Sequence, residues 1–62
     1  MQFHIENMTC GGCARSVTKA IQSVDPAALV SADPATHKVV VTSAVPRDRL
    51  VVALTEVGYA PA

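Results

Sequence analysis

Residues 2–24 read Gln2-Phe3-His4-Ile5-Glu6-Asn7-Met8-Thr9-Cys10-Gly11-Gly12-Cys13 and then Ala14-Arg15-Ser16-Val17-Thr18-Lys19-Ala20-Ile21-Gln22-Ser23-Val24. Two hydrophobic periods meet in this stretch. Phe3 and Ile5 alternate with Gln2, His4 and Glu6, the period of two expected of a strand with one covered face. From Cys13 the period lengthens. Ala14, Val17, Ala20, Ile21 and Val24 fall at helical spacing, with Arg15, Ser16, Lys19 and Gln22 opposite. Between the two lies a loop, Asn7 to Gly12, with adjacent glycines. Asp25-Pro26 ends the helix, because proline disfavours helical geometry in the residue before it.

Outward from this unit, Ala28–Asp33 and Lys38–Ser43 are β-prone, and the four residues from Pro34 to His37 join them as an antiparallel hairpin. The alternation puts Val39 and Val41 on the covered face. Pro46 suits the first turn of a second helix, and Asp48 lies near its positive end. Leu50, Ala53, Leu54 and Val57 form its expected inner stripe, and Gly58 supplies a left-handed stop. Tyr59 to Ala62 leaves a stub for a fourth strand.

The order βαββαβ predicts one α+β domain over residues 1–62. It is a ferredoxin-like open-faced sandwich, with two helices on one face of a four-stranded antiparallel sheet. Right-handed crossovers then gather Cys10, His37 and Tyr59 at one end. His4 is expected at the wrong end of its strand face to join them.

Composition narrows the chemistry. A chain of 62 residues has no room for a deep enclosed pocket. Half of it is apolar, mostly Ala and Val, and Phe3 and Tyr59 are its only aromatic residues, so the core must be thin. Five basic residues balance five acidic ones, so no global field points to nucleic acid or to anionic lipid. No apolar run is long enough to span a membrane, and the first residues lack the pattern of a signal peptide. The expectation is a cytoplasmic protein with no nucleic-acid partner and no direct membrane insertion. Two cysteines in a reducing compartment argue for metal or redox chemistry over a structural disulfide.

Met8-Thr9-Cys10-Gly11-Gly12-Cys13 carries that chemistry. Cys13 falls at the first turn of the helix, where free N–H groups and the positive dipole end favour a thiolate. Arg15 adds positive charge, and no acidic residue lies between Asn7 and Gln22. The glycines are expected to bend the backbone until both sulfurs face one point. Structural zinc wants four protein ligands, and this chain has two Cys and two His. Cu(I) is soft and is satisfied by fewer thiolates, which leaves it open to attack by a further thiolate. The residues therefore read as a Cu(I) carrier.

The order βαββαβ with Met8-Thr9-Cys10-Gly11-Gly12-Cys13 resembles the heavy-metal-associated domain of bacterial copper chaperones and of copper-transporting P-type ATPases. The resemblance runs from Phe3 to about Tyr59. It implies that Cys10 and Cys13 ligate Cu(I), with Ag(I) as a possible surrogate, and that Met8 packs beneath the loop. Gly58-Tyr59 matches the position where bacterial members carry Tyr. Thr9 stands where zinc- and cadmium-transporting relatives carry Asp, which favours copper, and mercury-binding relatives carry a leader.

The remaining candidates have two readings each. Met8 is a packing anchor or a thioether ligand. Tyr59 is a core aromatic or a group at the rim beside the sulfurs. His37 is a solvated loop residue, a third ligand, or a ligand lent to a neighbour in a copper-bridged homodimer. Arg15 and Lys19 are an ordinary solvated face or a basic strip that docks an acidic partner. The implied partner is the metal-binding domain of a copper-transporting P-type ATPase. The rivals to a free-standing, non-enzymatic chaperone are a domain of the ATPase itself, a Zn(II) carrier and a thiol–disulfide oxidoreductase.

Overall fold

The computed structural model describes all 62 residues. Its elements are β1 (Gln2–His4), α1 (Gly11–Val24), β2 (Leu29–Asp33), β3 (Lys38–Thr42) and α2 (Arg47–Glu56). The strands form one antiparallel sheet in the order β1-β3-β2, with Phe3 opposite Val39 and Ser31 opposite Val40. Both helices cover the same face. Phe3, Val39 and Val41 meet Val17, Ala20 and Ile21 of α1 and Leu50 and Leu54 of α2 in a single core. That core also takes Ile5 and Met8, both fully buried, from the segment leading to α1.

The sheet has three strands, where the sequence predicts four. The reason lies in the bonds of the last residues. The Tyr59 N–H is spent on the Leu54 carbonyl at 2.9 Å, which ties it to the end of α2. Pro61 has no N–H to give a ladder. Ala62 alone reaches β1, through a 2.7 Å bond to the His4 carbonyl, and a single rung makes no strand.

The helices also differ in detail. α1 begins at Gly11, two residues before the expected start, with Cys10 as its N-cap. Pro46 caps α2 from outside its first turn. Val57 is 49% exposed, because the helix stops at Glu56 and the inner stripe stops with Leu54. Gly58 does adopt the left-handed conformation, at φ 87°.

Arg47, at the start of α2, lies over the Phe3 ring at 4.2 Å from its centroid. Its Nη1 donates to the Gln2 carbonyl at 2.6 Å. The second helix is thereby fastened to the first strand at the end opposite the cysteines.

Candidate metal centre

Three connections meet at the other end of the molecule. The first joins β1 to α1: the Met8 N–H closes a turn on the Ile5 carbonyl at 3.2 Å, and the Met8 side chain is sunk in the core. The second is the β2–β3 hairpin, whose His37 accepts the Ile5 N–H on its carbonyl at 2.9 Å. The third follows α2, where the Gly58 carbonyl accepts from Asn7 Nδ2 at 2.8 Å. Each connection holds the next, so Cys10 and Cys13 stand on a braced loop.

The two sulfurs are 3.2 Å apart. Cys10 is exposed and Cys13 half-buried, and both are free thiols. Cys10 has extended backbone angles (φ −146°, ψ 171°) and no side-chain cap bond, so its sulfur is not spent on the helix. No acidic residue occupies the first turn of α1. The dipole end there is left for the thiols.

The Cys13 thiol is lowered from 9.0 to about 6. The largest cause is a hydrogen bond from the Tyr59 side chain, followed by bonds from the Thr9 backbone and the Cys10 thiol. Tyr59 itself is raised, chiefly because the same bond holds its proton. Arg15, expected to contribute, is not among the causes. It is exposed on the outer side of α1. Tyr59 therefore stands at the rim beside Cys13.

The glycines act otherwise than expected. Gly11 and Gly12 are the first residues of a regular helix, and neither has a positive φ. A Cβ at Gly12 would lie 3.9 Å from Cys10 Sγ, an ordinary van der Waals contact, and one at Gly11 would meet nothing, so neither space nor φ demands glycine at either position.

Within this chain His37 does not join the two cysteines as a third ligand. Its Nδ1 donates to the Met8 carbonyl at 3.1 Å, and no three His, Cys, Asp or Glu side chains converge anywhere in the chain. His4 is at this end of the sheet after all. Its ring centroid lies 5.9 Å from that of His37, and its Nε2 donates to Glu6 Oε1 at 2.7 Å. The alternation placed His4 on the correct face, but the hairpin curls His37 over to meet it. Asn7 went unnoticed in the sequence, because its partner Gly58 is 51 residues away.

This is a two-sulfur site on a small α+β scaffold, and comparison with known proteins places it in a family. Residues 2–60 match the heavy-metal-associated domain. The chain belongs to that family. It is 44% identical over 60 residues to a mercuric reductase of Acidithiobacillus ferrooxidans, covering 94% of this chain and 11% of that protein. The chain thus spans about a tenth of that relative's length. Among solved structures, a gold binding protein is 46% identical, with a TM-score of 0.96, over 98% of this chain and 94% of the other. The copper chaperone Atx1 from Synechocystis PCC6803, in its trimeric His61Tyr form, is 35% identical, with a TM-score of 0.96, over 100% and 98%. Atu1203 from Agrobacterium tumefaciens is 40% identical, with a TM-score of 0.89, over 100% and 97%.

The lowered Cys13 thiol has a direct readout. In the reduced protein, alkylation of Cys13 by iodoacetamide should rise with pH through a midpoint of about 6 and fall away below it as the thiolate is protonated. Tyr59→Phe should move that midpoint upward. A midpoint unmoved by the substitution would contradict the assigned cause.

Proposed function

We propose that this protein is a cytoplasmic Cu(I) carrier of the chaperone type, and not an enzyme. One observation carries the reading: two free sulfurs 3.2 Å apart at an open helix start that no carboxylate occupies. Cys10 and Cys13 bind one Cu(I) as thiolates and release their protons in doing so. The exposed Cys10 side leaves the ion open to a third thiolate. A partner cysteine attacks, a three-sulfur intermediate forms, and one Cu–S bond to this chain breaks as the new one is made. No oxidation state changes. The copper chaperone relatives support this choice of cargo, and Ag(I) satisfies the same donors.

The partner we favour is a metal-binding domain of a copper-transporting P-type ATPase with its own thiol pair. Arg15 and Lys19 flank the site on the outer side of α1, in a shallow depression with Ser16, Thr18 and Gln22 that contains no carboxylate. Such a surface attracts an acidic partner and raises the encounter rate.

A second reading has support in the likeness to a mercuric reductase. Hg(II) is as soft as Cu(I) and equally content with two thiolates, and the chain would then be one module of a longer protein. The Zn(II) reading lacks donors, since no three ligating side chains converge.

Anaerobic competition titrations of the reduced protein with Cu(I), Hg(II) and Zn(II), beside Cys10→Ser/Cys13→Ser, test the assignment. We expect one Cu(I) per chain, lost in the double variant. Cu(I) binding unaffected by the serines would sink the carrier reading, and a preference for Hg(II) in competition would establish the second one. Transfer to an acidic acceptor domain should slow as salt rises and slow further in Arg15→Glu; indifference to both would remove the docking surface.

A further inference from the structure

We propose that His4 and His37 form a second cation site, separate from the thiol pair and suited to a borderline divalent metal, Cu(II) above all. The inference goes beyond the carrier reading and does not rest on it. Its ground is the state in which the fold holds the two rings. His4 Nε2 lies 2.7 Å from Glu6 Oε1, and His37 Nδ1 lies 3.1 Å from the Met8 carbonyl oxygen. A carboxylate and a carbonyl only accept, so each ring carries its proton on that nitrogen. The other nitrogen of each neutral ring, Nδ1 of His4 and Nε2 of His37, keeps a free lone pair. Histidines that ligate metals are held in this way, with the far N–H on a carboxylate or a backbone carbonyl that fixes the tautomer and raises the basicity of the ligating nitrogen. Both kinds of acceptor occur here, one behind each ring.

The rings are also close enough to share an ion. With metal–nitrogen bonds of about 2.0–2.1 Å, two imidazoles on one ion keep their centroids within roughly 6.5 Å of each other. These centroids are 5.9 Å apart. His37 is anchored on the hairpin through its carbonyl, which accepts the Ile5 N–H at 2.9 Å. The side chains of His4 and Glu6 are 43% and 76% exposed, so this pair is free to adjust about an incoming ion. No third His, Cys, Asp or Glu side chain completes the group, which leaves the remaining positions to water. Imidazole nitrogens suit Cu(II), Ni(II) and Zn(II), and of these Cu(II) is bound tightest at a given site. Hard Mg(II) and Ca(II) ask for oxygen donors instead. Lys38 stands opposite His4 in the β1–β3 ladder, and its charge opposes a cation that Glu6 attracts.

Thiols would capture or reduce Cu(II), so the test uses the Cys10→Ser/Cys13→Ser protein. Titration with Cu(II) should give one ion per chain, and pulsed EPR should show two imidazole rings on it. His4→Gln and His37→Asn, made in that background, should each leave one. Losing the partner behind a ligand costs about 10–100-fold in metal affinity, and losing the ligand itself should cost no less. Asn tolerates the φ of 60° at residue 37, and Gln at residue 4 stays on the open face of the sheet. Should His37→Asn fail to fold, His4→Gln decides alone. One imidazole or none on Cu(II) in the parent protein would overturn the site. So would an affinity unchanged in the histidine variants, the behaviour of the terminal amine or of scattered surface donors. The Cu(I) titrations read the sulfurs, so failure of this site and failure of the carrier reading are distinguishable.

Discussion

The first turn of α1 has backbone N–H groups that no helical carbonyl can reach, and no carboxylate meets them. That constraint organises the rest of the metal end. Cys10 stands at the cap and Cys13 in the first turn, where an anion is favoured and where each sulfur still points outward. Placing two thiols this way requires a loop that does not wander. The chain meets the requirement by burying Met8 as an anchor and by bracing the loop from both sides, through His37 on the hairpin and Asn7 to the turn after α2. Tyr59, held by its own N–H to Leu54, then approaches Cys13 from the third connection.

The scaffold beneath is slight. Its core holds eleven residues, of which Phe3 is the only aromatic and Ala20 and Ala28 contribute little volume. A domain of this size is marginal in stability. A cation that binds the folded form and not the unfolded chain would add to that stability, by an amount that grows with the logarithm of its affinity. The site and the fold are linked in this sense: the loops that brace the sulfurs also close the end of the core, and Met8 belongs to both.

Much of this was legible in the sequence because it depends on local periodicity. The alternation of Phe3 and Ile5, the helical stripe from Ala14 to Val24 and the hairpin with Val39 and Val41 inward all follow from spacing, and all were found in place. Topology then brought Cys10, His37 and Tyr59 to one end. The misses share a different cause. The fourth strand fails because the Tyr59 N–H is taken by Leu54, a local bond that wins over a long-range ladder to β1. Val57 is exposed because α2 ends one residue before it. Arg15 had the right charge and the wrong side of the helix. Asn7 and the true contact of His37 depend on partners 51 and 29 residues away, and nothing in their neighbours announces them. The cysteine pair had the strongest local signal, since its spacing of three puts both residues at one helix start.

The central claim is that two sulfurs of one chain hold the cargo, with no imidazole in the ligand set. Copper K-edge X-ray absorption on the reduced protein loaded with one equivalent of Cu(I), kept dilute so that copies do not share metal, tests it most directly. The account predicts a two-coordinate Cu(I) edge with sulfur as the only nearest neighbour, unchanged in His37→Gly. An edge and scattering pattern that require a nitrogen neighbour, lost on substitution of His37, would contradict it.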